Sequence, residues 1–310
     1  MYRGLRLPHL EKLLARSRHA EFPPAALENR LCEVFGVATV APLRARADGL
    51  SVGQGCWLCA DPVELQMQPS QVMLQPEVAC TDDEAHTLCA ALNAHFAGES
   101  LRFFAPHPQR WYVQAQTLGE VSMTGLNAAS WQDVKTLQPQ GSDARRWQRL
   151  GNEIQMLLHQ HPINAARQQT GRPIINSLWL WGGGVAETIR PEIDAAGDDA
   201  NLTALFARAS DIVPEKELAR LLTEPGKRGL WVEHGLQTAW QRGDLYACRA
   251  QLERLETAIA MPLWRAVTAG DLHSVTLEAI CAGTNHRFEF KRADRWKVWR
   301  GQTSLTAYIK

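Results

Sequence analysis

Eight consecutive residues, Ile174-Ile175-Asn176-Ser177-Leu178-Trp179-Leu180-Trp181, carry no charge, and they limit the folds open to this chain more than any other segment. The run has the length of a strand rather than a helix, with Gly171 before it and Gly182-Gly183-Gly184 after it. Side chains alternate along a strand, so Leu178 and Leu180 are expected on one face and Trp179 and Trp181 on the other. With no charge on either face both must be covered, the pattern of a parallel strand held between layers of helices. The glycines are expected to end the strand in a tight turn.

The flanking segments supply its neighbours. Ser142 is placed to cap a helix whose apolar stripe, Trp147, Leu150, Ile154, Leu157 and Leu158, has the spacing of a buried face. That helix is expected to stop at His159-Gln160-His161-Pro162, with a second short helix through Arg167. Further on, helical patterns around Leu202–Phe206, Leu218–Leu222, Leu236–Trp240 and Leu245–Leu263 alternate with a strand at Leu230–Glu233. Such alternation predicts an α/β fold with a central, partly parallel sheet flanked by helices. Short strands at Val275–Leu277, Arg287–Phe290 and Trp296–Trp299 are expected to cover an edge.

The first third reads differently. Helical patterns at Leu10-Leu13-Leu14 and Leu27-Leu31-Val34 give way to strand candidates at Trp57–Ala60, Val72–Gln75, Leu101–Ala105 and Trp111–Gln114. Thr81-Asp82-Asp83-Glu84 is a capping box ahead of Leu88, Ala91, Leu92, His95 and Phe96 at helical spacing. This part is mixed α+β. Gly119, Gly125, Pro139 and Gly141 make 117–142 the expected hinge, so two lobes, 1–125 and 142–310, are anticipated unless they close into one compact unit.

Composition excludes several classes of function. Lys+Arg and Asp+Glu both number 33, with no basic block to neutralise a nucleic-acid backbone. No apolar stretch reaches the roughly 18 residues that a membrane span needs, and Met1 to Glu11 lacks the apolar core of an export signal. Seven cysteines, an odd number, read as reduced buried thiols in a soluble cytoplasmic protein. Cys56 and Cys59 have the C-x-x-C spacing, but no second pair completes a zinc set. Most of the 11 tryptophans, Trp147, Trp179, Trp181, Trp231, Trp240 and Trp264 among them, are expected to fill core.

Three polar groups are candidates for chemistry. Gly182, Gly183 and Gly184 follow a strand and could present backbone N–H groups to an anion, although no Lys-Ser/Thr follows as in a P-loop. Asn164, Arg167, Arg172 and Asn176 flank the strand, and a planar guanidinium can hold a phosphate or carboxylate through two bonds; the plainer reading is that the asparagines cap or bridge backbone. His159 and His161 sit where imidazoles favour a helix C-terminus, and as metal ligands they would need a third donor from Asp194, Asp198 or Asp199. Ser177 and Ser274 have no G-x-S-x-G elbow.

The segment HQHPINAARQQTGRPIINSLWLWGGG, from His159 to Gly184, resembles a stretch of the archaeal-type cofactor-independent phosphoglycerate mutases: a His-Pro-x-Asn, a nearby Arg, then Asn-x-x-Trp-Leu-Trp-Gly-x-Gly. With Asn152 to Leu158, Ala60-Asp61-Pro62-Val63, Ala91 to Phe96 and Arg110-Trp111-Tyr112, most of the chain also resembles an uncharacterised bacterial family, labelled in part as mutases and in part as pathogenicity regulators. The first resemblance implies kinship with the alkaline phosphatase superfamily, whose members use two divalent metals and a Ser nucleophile. The chain departs from that pattern. Met1 to Ala20 is helix-like where a strand ending in Asp-Gly is expected, and no His-rich motif surrounds His273 or His286.

The resulting expectation is a divergent, non-catalytic, regulatory protein with an anion or phosphate site near Gly182–Gly184, needing no cofactor and taking a small phosphorylated or carboxylate ligand. One alternative is an active metal-dependent mutase or phosphatase with relocated ligands. The other is a protein-interaction module.

Overall fold

Twelve residues from Cys56 to Met67 form the longest strand, and its first eight are largely buried on both faces, so the rest of this region is arranged around it. The computed structural model describes residues 4–198, 202–223, 226–281 and 283–300. In chain order the elements begin with α1 (Pro8–Arg16), β1 (Arg18–Phe22), α2 (Leu27–Phe35), α3 (Val40–Ala47), β2 (Cys56–Met67), β3 (Val72–Gln75), α4 (Asp82–His95), β4 (Leu101–His107) and β5 (Arg110–Ala115). There follow α5 (Leu126–Ala129), α6 (Ala144–His159), α7 (Pro162–Gln169), β6 (Ser177–Val185), β7 (Ala195–Asp198), α8 (Leu202–Ala209), β8 (Pro214–Glu215) and α9 (Leu218–Leu222). The rest are β9 (Gly229–Val232), α10 (Gly235–Gln241), α11 (Leu245–Arg254), α12 (Met261–Ala269), β10 (Ser274–Ala279) and β11 (Asn285–Lys291). The protein is mixed α/β, with several sheets flanked by helices. No helix among the described residues is long and apolar enough to cross a membrane.

The chain divides into two compact units, one of Cys32–Arg190 and one of the described residues of Met1–Leu31 and Pro191–Lys310. This is not the division expected at 117–142. That stretch lies inside the first of these units because its turns are tied down: Ser122 pairs with Gln140, and the Asp133 carboxylate accepts from the amides of Val72 and Lys135. Glycine and proline there shape turns rather than a linker.

In the Cys32–Arg190 unit, β3, β2, β5 and β4 are neighbours in that order, and β6 pairs with β2. All these pairings are antiparallel. One face of the sheet, carrying Leu58, Ala60, Val113, Leu178 and Leu180, packs against Leu88 and Leu92 of α4 and Trp147, Ile154 and Leu158 of α6. Thr81 and Glu84 complete the anticipated capping box of α4, a contribution of about 1 kcal/mol. The Ser142 hydroxyl does not cap α6 but bonds Glu120.

β6 forms where the uncharged run predicts it, with Leu178 and Leu180 in one cluster and Trp179 beside another on Val63 and Leu74. Its orientation differs from the expectation. It runs antiparallel to β2, and both its faces are covered because layers pack on each side of the sheet. The glycines do not end it either. Cys59 pairs with Trp181 and Trp57 with Gly184, so Gly182 and Gly183 oppose Leu58 alone. This is a β-bulge, and Gly182 takes the left-handed φ of 63° that such a bulge favours. A Cβ on Gly184 would collide with the Thr39 side chain, so close approach of the chain entering α3 also demands glycine.

In the other unit β1, β11 and β10 form an antiparallel sheet, while β8, β7 and β9 form a parallel one. Leu13, Leu263, Val267 and Phe290 are among its core residues. The strand expected at Trp296–Trp299 is absent: Arg292–Trp296 is a 3-10 helix, started where Asp294 accepts from the Lys291 amide. Trp240, expected in the core, is 65% exposed.

Replacing Gly184 by Ala should destabilise the protein by about 1–3 kcal/mol, the range for overpacking. The open helical position Gly151 should instead gain about 0.5–1 kcal/mol from the same change. Urea unfolding of both variants checks this, and equal effects would refute the close approach of Thr39 to Gly184.

Candidate functional site

The polar residues singled out around β6 are all held by internal partners. Asn164 is buried; its Nδ2 donates to the carbonyls of Leu158 and Ile175 at 2.7 Å each, and its Oδ1 accepts from the Ile175 amide at 2.8 Å. It thereby ties the end of α6 to the entry of β6. Asn176 does the same across to β2, accepting from the Leu65 amide at 2.7 Å and donating to its carbonyl at 2.9 Å. Arg167 is 1% exposed and donates to the carbonyls of Pro173 and Ala79 and to Glu84. Arg172 reaches the same Glu84 and Ala79. Burial alone would raise the Glu84 pKa, but the Thr81 amide and the two arginines hold it below the usual carboxylate value.

The glycines lie at the other end of the strand. Seven residues separate Asn176 from Gly183, about 23 Å at roughly 3.3 Å per residue. Beside Gly182 and Gly183 stand Val40, Leu58 and Leu118. Asn164, Arg167, Arg172 and Asn176 thus gather at the entry of β6, and Gly182, Gly183 and Gly184 lie towards its far end. The two arginines bind a carboxylate of the protein, and the glycines meet packed side chains. The His161 ring caps α7, accepting from the Ile163 amide at 3.2 Å, and burial lowers its pKa; His159 is exposed on the last turn of α6. Asp198 and Asp194 accept backbone amides of Thr203 and Arg228, and Asp199 lies outside the described residues.

A second polar cluster, on the sheet face under α3, was not singled out in the sequence. Arg44 projects from a helix that is otherwise apolar over Val40–Leu43, and its guanidinium bonds both oxygens of Asp61 at 2.9 and 2.5 Å. Its Nε donates to the Tyr112 hydroxyl at 3.0 Å, and the group lies over the rings of Tyr112 and Trp181. Trp181 Nε1 donates to Asp61 at 2.8 Å; Tyr112 donates to Asp48 at 2.6 Å, and Asp48 also receives Arg110. Burial would weaken the Arg44 charge, but the facing Asp61 holds its pKa well above the ordinary value. Burial pushes the Cys59 thiol and the Tyr112 phenol far up, so neither supplies an anion at neutral pH. The cluster is built for rigidity. The sequence signal was available: an Asp in the middle of a strand buried on both faces needs a cation.

Among the described residues, His19, Glu21 and His286 form the one group of three or more His, Cys, Asp or Glu placed to share an ion. Two-metal phosphoryl transfer needs donors for two ions about 3.5–4 Å apart. Three ligand atoms are too few for that centre, so the donor set present does not fit it.

A mixed α/β fold of this kind has a solved counterpart: the structure of the PH0037 protein from Pyrococcus horikoshii aligns over 93% of this chain and 80% of that one, with a TM-score of 0.52 and 13% identity. No family model matches the chain. The 2,3-bisphosphoglycerate-independent phosphoglycerate mutase of Methanosarcina mazei is 26% identical over 196 residues, 58% of this chain and 49% of its own length. A probable enzyme of the same name from Geobacter sulfurreducens is 25% identical over 226 residues, covering 67% and 55% respectively. The chain is thus a distant relative of the archaeal-type cofactor-independent phosphoglycerate mutases, and spans about half the length of the relatives it matches.

Two outcomes follow for stability. Asp61→Ala should cost about 3–5 kcal/mol by stranding a buried guanidinium, while Arg44→Met with Asp61→Leu should recover most of the loss. Denaturant unfolding measures both, and a mild single variant would sink the argument. The depressed pKa of Glu84 means its contribution is present above its ordinary value of 4.5 and is lost as pH falls through the lower folded value. Glu84→Gln should therefore be clearly less stable than wild type at pH 7, with the gap closing as the pH drops below that value. A gap that stays constant between pH 7 and pH 3 would contradict this sign.

Proposed function

We propose that the chain is a non-catalytic phosphoglycerate-mutase-like protein that acts in regulation, by binding rather than by turnover. One observation carries this reading: within the segment of likeness, His159 to Gly184, the polar side chains between His161 and Trp181 act as clamps on backbone and on Glu84 and Asp61. Catalysis needs polar groups held ready for the transition state, and side chains already satisfied by the scaffold are not ready. What is retained from the mutases on this reading is architecture.

The test is a coupled assay for interconversion of 3- and 2-phosphoglycerate, with an aryl phosphate as generic substrate, in the presence of Mg2+, Mn2+, Co2+ or Zn2+. No turnover above the blank is expected with any of them. Turnover that tracks bound metal would overturn the proposal in favour of a mutase or phosphatase with relocated ligands.

A further inference from the structure

The antiparallel pairing of β1 with β11 places Glu21 directly opposite His286 and His19 opposite Phe288. His19 and Glu21 are two residues apart and so share a face of β1, while His286 and Phe288 share the adjoining face of β11. The result is a surface patch of two imidazoles and one carboxylate, with one ligand atom of each lying within 4.8 Å of the others. His19 Nε2 and His286 Nδ1 are 3.0 Å apart. The His19 ring stacks on Phe288 with centroids 4.6 Å apart and planes at 11°, which fixes its orientation before any ion arrives.

We propose that His19, Glu21 and His286 bind a divalent first-row cation, zinc foremost, which pins β1 to β11. Two imidazole nitrogens and a carboxylate oxygen are a donor set that zinc accepts, with water completing the tetrahedron at an exposed site. Bonds of about 2.0–2.1 Å place tetrahedral ligands about 3.3 Å apart, so the two nitrogens need to separate by only a few tenths of an ångström. Lys297 and Arg300 line a cavity together with His19, but Lys297 pairs with Asp294 and Arg300 donates to the Ser17 carbonyl. Arg18 and Arg287 alternate onto the other face of the sheet, where Arg287 and Arg30 pair with Glu278. His19 and His286 are 267 residues apart in sequence, so an ion shared by them closes a very long loop and binds only the paired strands.

The 310-residue chain, prepared without a polyhistidine tag and stripped with chelator, is titrated with zinc by calorimetry and with cobalt by visible absorption. Roughly one ion per chain with the strong bands of tetrahedral cobalt is expected. His19→Asn, Glu21→Gln and His286→Asn should each weaken binding by more than the about 10–100-fold typical of lost supporting contacts. His86→Asn, elsewhere on the surface, should bind like wild type. Zinc should raise the thermal midpoint of wild type and His86→Asn but of none of the three site variants. Should one site variant fail to fold by circular dichroism, the other two decide the outcome. The proposal falls if wild type takes up no zinc at micromolar concentration, or if the site variants titrate and melt as wild type does.

Discussion

A guanidinium buried beneath α3 dictates the design of the Cys32–Arg190 unit. Removing an unpaired charge from water costs several kcal/mol, so Arg44 can occupy that position only while Asp61 faces it with both oxygens and Tyr112 and Trp181 stack around it. Four elements are thereby fixed together: α3 through Arg44, β2 through Asp61, β5 through Tyr112 and β6 through Trp181. The neighbouring glycines follow from the same constraint. With α3 held down on the sheet, Thr39 and Val40 press onto Gly184 and Gly182, leaving no room for a side chain at the first and a left-handed backbone at the second. The Trp-Leu-Trp-Gly-Gly-Gly pattern that carries the likeness to the mutases is, in this chain, the imprint of that packing.

The opposite end of β6 is closed by a carboxylate instead of a guanidinium. Glu84 completes the cap of α4 through the Thr81 amide and at the same time receives Arg167 and Arg172, so helix initiation and the approach to β6 depend on one side chain. Asn164 and Asn176 add neutral clamps on either side. Charge balance here is local, with Glu84 and its two arginines meeting inside the unit. A cluster that reads as a ligand cradle in one dimension is consumed in three by the backbone groups that a strand entry would otherwise leave unpaired.

What the sequence made legible was periodicity. Val72–Gln75 forms a strand over the stretch that its composition marks, the capping box is present at Thr81 and Glu84, and the Trp147-to-Leu158 stripe is buried apart from the half-buried Leu157. Elements without periodicity stayed hidden. β1 is Arg-His-Ala-Glu-Phe, almost wholly exposed, and β7 is Ala-Ala-Gly-Asp; neither alternates between apolar and polar residues. α3 is apolar nearly all round and contains Pro42, so no stripe announces it. Strand direction was hidden for a different reason: burial on both faces requires a layer on each side, and an antiparallel strand under α3 meets that condition as well as a parallel one between helices. The polar clusters were hidden because register creates them. Nothing in one dimension brings Glu21 opposite His286, or Asp61 beside Trp181.

The two polar clusters and the histidine patch differ in the property that separates a scaffold from a site. Around Arg44 and around Glu84 each charged group is engaged by an opposite charge, which fixes geometry and leaves little for an incoming ligand to gain. On β1 and β11, two imidazoles and a carboxylate come together near the surface with ligand atoms within 4.8 Å of one another, and the hydrogen bond between the rings is an interaction that an ion would replace. Their strands come from the two ends of a unit whose chain is interrupted by the whole of Cys32–Arg190. A ligand recognising that patch therefore recognises a folded unit, because the unfolded chain does not hold the three donors together. In a relative of the mutases whose segment of likeness is occupied with its own architecture, this patch is a place where binding free energy can be coupled to the state of the fold.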